Sequence, residues 1–263
     1  LFVAGLGGYR AAINGRPLDP TAVRGSVTEW GNRTFYFGDD VTIDVQAAAA
    51  APNGLVAVTV ELYKHWYALQ NPFYPVAFGP RSLKAVLRVT SSNGTSVFVS
   101  PTCAGRNSGC SWEHASGSTL HDDLHTGHSI DARLALPGWE DAEYDARDKF
   151  RPAVAVDGPL GKLHPHPMQR SRVLEIARPL SVVSVHGPPP SESQNGTISA
   201  ETTYRFTLPY EVAGFCTLLL PRNVPGGLRV SYRHGEAIDT ATGRVVHSPC
   251  VSNSIDGCEH SFY

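Results

Sequence analysis

A chain of 263 residues with 17% charged residues and a formal net charge of −2 is long enough to bury a sizeable core in one large or two ordinary domains. It lacks the clustered Lys and Arg that phosphate binding needs, which excludes nucleic acid as the expected partner, and no apolar run reaches the ~18 residues of a membrane span. Its 25 glycines and 20 prolines exceed the usual share of about 12% for the pair, so turns should be frequent.

Leu1–Tyr9 reads as a short apolar strand with close-packing glycines, and Asn14-Gly15 supplies the positive-φ turn of a first hairpin. Gly5, Gly7 and Gly8 resemble a dinucleotide loop only superficially, because no helix-forming segment follows them. Val41–Val45 alternates as a strand, and Gln46 with the alanines to Ala51 suits one helical turn stopped by Pro52-Asn-Gly54. Leu55–Tyr63 reads as a central strand continuing into Lys64-His-Trp-Tyr67, and Asn93-Gly94 joins Leu83–Val89 to Ser96–Ser100 in a second hairpin.

The stretch His121–Arg133, closed by Pro137-Gly-Trp139, gathers three aspartates, three histidines, an arginine and a tryptophan. It is the densest set of ligand-competent side chains in the chain. Beyond it, Arg151–Val156 reads as a strand, and Asp157–Arg172 as a connector rich in Gly, Pro and His. Prolines between His164, His166 and His186 oppose a preset metal geometry, so these read as solvated histidines. Ser181–Val185, Thr202–Thr207, Cys216–Leu220 and Gly227–Tyr232 complete the strands. The fold class expected is all-β, as two consecutive β-sandwich or jelly-roll domains, the second incomplete. The boundaries are 1–156, a connector at 157–175, and 176–263.

Asn32-Arg-Thr34, Asn93-Gly-Thr95 and Asn195-Gly-Thr197 are N-glycosylation acceptor patterns. Five cysteines allow fifteen ways to form two bridges. Cys103–Cys110 and Cys250–Cys258 each bracket a short polar loop and are expected to pair locally, leaving Cys216 as a buried core thiol. Together these features predict a secreted, eukaryotic glycoprotein.

In this order the segments resemble the non-catalytic N-terminal β-sandwich domains of bacterial-type α-L-rhamnosidases (glycoside hydrolase family 78). The residues concerned are Val3–Tyr9 with Ile13-Asn-Gly15, Thr28-Glu-Trp30, Trp66-Tyr67, Gly127 with Asp131-Ala-Arg133, Pro137-Gly-Trp139, Arg151–Val156, Arg178–Val182 and Arg233-His-Gly-Glu236. His128-Ser-Ile130 departs from the family's Glu-x-Tyr, and Leu208–Gly214 from its Phe-Gly-Gln-Asn-x-Ala-Gly. The resemblance implies a helical catalytic barrel downstream of such domains, and the present residues stop at Tyr263 before any helical repeat.

Glycoside hydrolysis needs a carboxylic acid and a carboxylate flanking one bond. Asp122 and Asp123 are adjacent, so on a strand they face opposite sides, and no nucleophile-elbow sequence supports a hydrolytic triad. The residues present therefore read as non-catalytic, and the resemblance leaves open a rhamnosidase-like glycoside hydrolase as the parent chain. The resemblance also implies carbohydrate binding, with calcium beside the sugar in some members. In a loop, Asp122 and Asp123 would supply calcium ligands, and Tyr67 or Trp139 an apolar face for a rhamnose-containing glycan. In a purely structural alternative, Asp131 and Arg133 form an ion pair and Trp139 fills the core. Two further readings stand beside a binding module: a piece of a full α-L-rhamnosidase, and a structural component of an extracellular assembly whose open sheet edges pair with its own kind or another protein.

Overall fold

The computed structural model describes residues 1–186 except 21, 23, 70–77, 106–108, 124–126 and 146, and beyond them 203–210, 227–232, 260–262 and scattered residues between. The fold is all-β. Its strands are Phe2–Leu6 (β1), Gly8–Ile13 (β2), Arg16–Pro17 (β3), Arg33–Gly38 (β4), Val58–Tyr63 (β5), Ser82–Thr90 (β6), Ser96–Val99 (β7), Gly109–His114 (β8), Thr119–Asp123 (β9), Gly127–Ile130 (β10), Arg151–Val154 (β11), Lys162–Pro165 (β12), Ser181–His186 (β13), Thr203–Thr207 (β14), Val230–Tyr232 (β15) and His260–Phe262 (β16), with one helix, Thr42–Ala49 (α1). No helix among the described residues is long and apolar enough to cross a membrane.

The chain packs as two compact units. The first comprises Leu1–Ser118 with Leu134–Arg172, and the second Thr119–Arg133 with Val173–Tyr263. The stretch 119–133, placed by sequence inside a first domain of 1–156, thus groups with the second unit.

In the first unit, a five-stranded sheet of order β12-β4-β1-β6-β7 faces a three-stranded sheet of order β3-β2-β5. Val3, Phe37 and Ala85 from one sheet and Tyr9, Ala11 and Ile13 from the other form one buried cluster, closed by Val41 and Ala48 of the helical segment. Gly7 lets the chain change sheets. It lies at φ +118°, and a Cβ there would collide with Tyr63 O. The first apolar run is therefore two strands, since β1 pairs with β4 and β6 while β2 pairs with β3 and β5. The Asn14-Gly15 turn forms as expected, with φ of 44° and 74°, and joins β2 to β3. The expected central strand, β5, sits at a sheet edge, because β2 takes the middle position.

Val41–Val45 is not a strand. Thr42–Ala49 is helical because positions 41, 45 and 48 also fit a helical face, and Val41, Val45 and Ala48 pack on the core while Ile43 is 73% exposed. The alanines favour this choice, and Asp40 Oδ1 accepts hydrogen bonds from Thr42 N at 3.0 Å and Thr42 Oγ1 at 2.6 Å ahead of the first turn.

The expected connector is also structured. β12 pairs in parallel with β4; Gly161 packs so closely that a Cβ would strike Trp30 O. His166 is not merely solvated: its ring stacks on Phe37 at 4.5 Å, whereas His164 is exposed in β12. Of the expected disulfides, Cys103–Cys110 is formed; Cys250 and Cys258 lie outside the described residues, as does Asn195. Cys216 is a free, exposed thiol, not the core residue expected from its apolar run.

Candidate functional site

The polar stretch that dominates the sequence becomes the β9–β10 hairpin of the second unit, with Asp122 opposite His128 and Asp123 opposite Gly127. Because the two aspartates lie within a strand rather than a loop, they leave it on opposite faces: Asp123 is buried and Asp122 half-buried. Among the described residues no three His, Cys, Asp or Glu side chains gather into a metal-holding group. A calcium site built on this carboxylate pair therefore does not fit the strand geometry. Burial lowers the His128 pKa against the opposing pull of Asp122, and burial also lowers that of His234. Asp131 and Arg133 form the expected ion pair, with Arg133 Nε donating to Asp131 Oδ1 at 2.8 Å and Arg133 Nη2 to Oδ2 at 2.6 Å. The Arg133 bonds hold the Asp131 carboxyl below the usual range.

The two aromatic candidates belong to the first unit. Tyr67 is buried with Leu6 and Trp30, its ring edge-on to Trp30 at 5.2 Å and stacked with Phe78 at 6.2 Å. It is a core ring here, not a sugar platform. Trp139 is half-buried in a turn closed by its N–H donating to Leu136 O at 3.2 Å.

Two open clefts mark the first unit. One, of about 430 Å³, is lined by Arg16–Pro20, Asp39, Asp40, Asp44 and Arg170. Its carboxylates are already engaged. Asp39 takes the buried Arg24 at 3.0 Å and Arg170 at 2.5 Å, Asp44 takes Arg16 at 3.1 Å, and Asp19 takes Arg172 at 3.0 Å. Thr42 holds the Asp40 carboxyl below its ordinary pKa. This cleft is an ion-pair network that fastens residues 162–172 to the sheet.

The second cleft, of about 530 Å³, lies beside the Pro137-Gly-Trp139 turn and is lined by Asn14, Ala51, Asn53, Pro137, Gly138 and 141–145. Two glycines shape it. A Cβ on Gly15 would meet Asp141 Oδ1 at 3.3 Å and one on Gly138 would meet Oδ2 at 3.2 Å, both glycines having positive φ. Asn14 is structural, its NH2 donating to Leu55 O at 3.0 Å and its oxygen accepting from Ala57 N at 2.6 Å. Asn53 Oδ1 accepts from Leu55 N at 3.1 Å, which leaves an amide NH2 to offer a ligand. Asp141, Glu143 and the half-buried Tyr144 complete a rim of acceptors, a phenol and a ring. Arg147 keeps the Asp145 carboxyl below the usual range, so that group is a poor proton donor at neutral pH.

Asn53, Asp141, Glu143 and Tyr144 are not among the residues that the sequence singles out. The available signal was an acidic, aromatic run directly after the Pro-Gly-Trp motif. The partner strand that carries Asn14 and the loop that carries Asn53 come together only through pairing distant in sequence.

Residues 1–175 match the family model for the α-L-rhamnosidase N-terminal domain, and the chain belongs to that family. An α-L-rhamnosidase of Streptomyces avermitilis is 33% identical over 149 residues, covering 56% of this chain and 13% of the relative. One of Formosa agariphila is 21% identical over 151 residues, covering 55% and 15%. The chain thus matches only a small part of these relatives' length. The crystal structure of the Streptomyces avermitilis α-L-rhamnosidase complexed with L-rhamnose aligns over 99% of this chain and 22% of its own, with TM-score 0.64 and 21% identity. The α-L-rhamnosidase structure from Dictyoglumus thermophilum aligns over 70% and 19%, with TM-score 0.57 and 20% identity. At these identities the two structures speak for the fold alone.

Proposed function

We propose that this member of the α-L-rhamnosidase N-terminal domain family is a non-catalytic carbohydrate-binding module that holds a rhamnose-containing glycan in the Pro137–Asp145 cleft. The observation that carries the reading is the chemistry of that rim. Asp141, Glu143, the Asn53 amide and the Tyr144 ring suit a neutral, hydroxyl-rich ligand, and the cleft is open rather than enclosed. A hydrolytic site would need one carboxyl kept protonated near neutral pH, and Asp145, which lines this cleft, is held the other way by Arg147. Trp139, beside the cleft, positions the turn. Asp122 and Asp123 serve the hairpin.

The parent protein, in this proposal, is a secreted α-L-rhamnosidase whose catalytic region lies outside these residues. The Cys103–Cys110 bridge favours an oxidising compartment, and the acceptor triplets at Asn32, Asn93 and Asn195 suit a glycoprotein. The names of the relatives support the substrate class.

Isothermal titration with L-rhamnose tests the site. Wild type should bind weakly, in the millimolar range, with Asp141→Ala and Tyr144→Ala each about tenfold weaker, the loss of roughly one hydrogen bond or ring contact. Asp122→Asn should bind like wild type. If Asp122→Asn abolishes binding while Asp141→Ala does not, the ligand site belongs to the hairpin and the cleft assignment fails.

A further inference from the structure

Every open sheet has two edges, and each is a template for a foreign strand unless charge, proline or a cover blunts it. The five-stranded sheet treats its two edges differently. β12 presents Lys162 and Pro165, a cation and a residue without an N–H. β7 is Ser96-Val-Phe-Val99, without charge or proline, and no strand lies beyond it among the described residues. Val97, Phe98 and Val99 are 57%, 64% and 54% exposed.

Immediately before β7 stands Asn93-Gly94-Thr95, at the tip of the β6–β7 hairpin. Asn93 is exposed, and its Oδ1 accepts from Thr95 N at 3.0 Å and from Ser91 Oγ, so Nδ2 is the group left to react. Gly94, at φ +82°, has nothing within 4 Å of its Cβ position, so the tip has room for a bulky substituent. The other described acceptor is built differently. Thr34 of Asn32-Arg-Thr34 is 4% exposed inside β4, its hydroxyl sealed without a partner, and Asn32 O is tied to Lys162 N at 3.2 Å.

We infer that Asn93 carries an N-linked glycan whose first sugars run along β7 and cover Val97, Phe98 and Val99, doing for this edge what Lys162 and Pro165 do for the other. Nδ2 forms a bond to the anomeric carbon of a lipid-pyrophosphate-linked oligosaccharide, the bond from that carbon to the pyrophosphate oxygen breaks, and the amide proton leaves with the pyrophosphate. Val97–Val99 lie four to six residues from Asn93, at most about 13–20 Å by chain length, within the span of a branched core of several sugars. The C–H face of a sugar packs on the Phe98 ring, and its bulk keeps other strands away.

The inference rests on the secreted-glycoprotein reading above, and one experiment separates the two. The chain is produced in a eukaryotic secretory host and its glycopeptides are identified by mass. Hydrogen exchange over 96–99 and sedimentation velocity are then compared for the intact glycoprotein, for the same folded sample trimmed enzymatically to one sugar, and for Asn93→Gln with and without Phe98→Lys. Asn93 should be occupied. Trimming should speed exchange in β7 by about tenfold and produce species larger than the monomer, and Phe98→Lys should restore the monomer in the Asn93→Gln background. A glycan on Asn93 whose trimming changes neither exchange nor sedimentation overturns this inference alone. Absence of glycan from all three acceptors overturns the secreted-glycoprotein reading along with it.

Discussion

Gly7 shows how much one residue decides. A side chain there would meet Tyr63 O in a backbone region that L residues rarely adopt, and the same residue passes the chain from one sheet to the other. Gly7→Ala should lower stability by about 3 kcal/mol or more, read as a shift in the urea midpoint at unchanged m. In the second unit, burial depresses the pKa values of His128 and His234. Neutral imidazole is therefore favoured in the folded state, and the unfolded chain binds more protons on acidification. Their contribution should be intact above about pH 6.5 and be lost as pH falls through the lower folded values. Unfolding measured at pH 7.5 and 5 should show this loss, and His128→Gln should reduce it. The pairing of Asp131 with Arg133 was legible from two residues of spacing; the burial of Tyr67 was not, because nothing local reveals that Trp30 and Phe78 enclose its ring.

Among the elements, those with a one-sided apolar pattern or a positive-φ turn were legible: β2–β3 at Asn14-Gly15, β6–β7 at Asn93-Gly94, and the strands near 58–63, 151–154, 181–186 and 203–207. β9 and β10 escaped because their side chains are mostly polar and their strand character comes from backbone pairing. β12 escaped because its recognition depends on β4, more than a hundred residues away. For α1, two periods competed over the same valines, and the core selected the helical one. The strap after β12 is held by the Asp39 ion pairs. Arg24 is a cation with its side chain only 2% exposed, so Asp39→Ala leaves it uncompensated. That variant should lose about 3–5 kcal/mol and expose the Arg170–Arg172 segment to trypsin in a limited digest. An unchanged digest would mean that β12 pairing alone secures the strap.

At the scale of the molecule, the all-β architecture and the rhamnosidase likeness followed from motif order along the chain, because turns and short strands recur with little helical period between them. The candidate cleft was hidden, since it arises where the Asn14 turn, the Asn53 loop and the 137–145 turn converge. A sugar-binding cleft without chemistry can be checked by following backbone amide resonances of the isotope-labelled chain during titration with a rhamnose-containing oligosaccharide. Shifts confined to Asn53 and residues 137–145, with no release of free rhamnose during the titration, are the predicted result. Shifts centred on 119–130, or the appearance of free rhamnose, would contradict it.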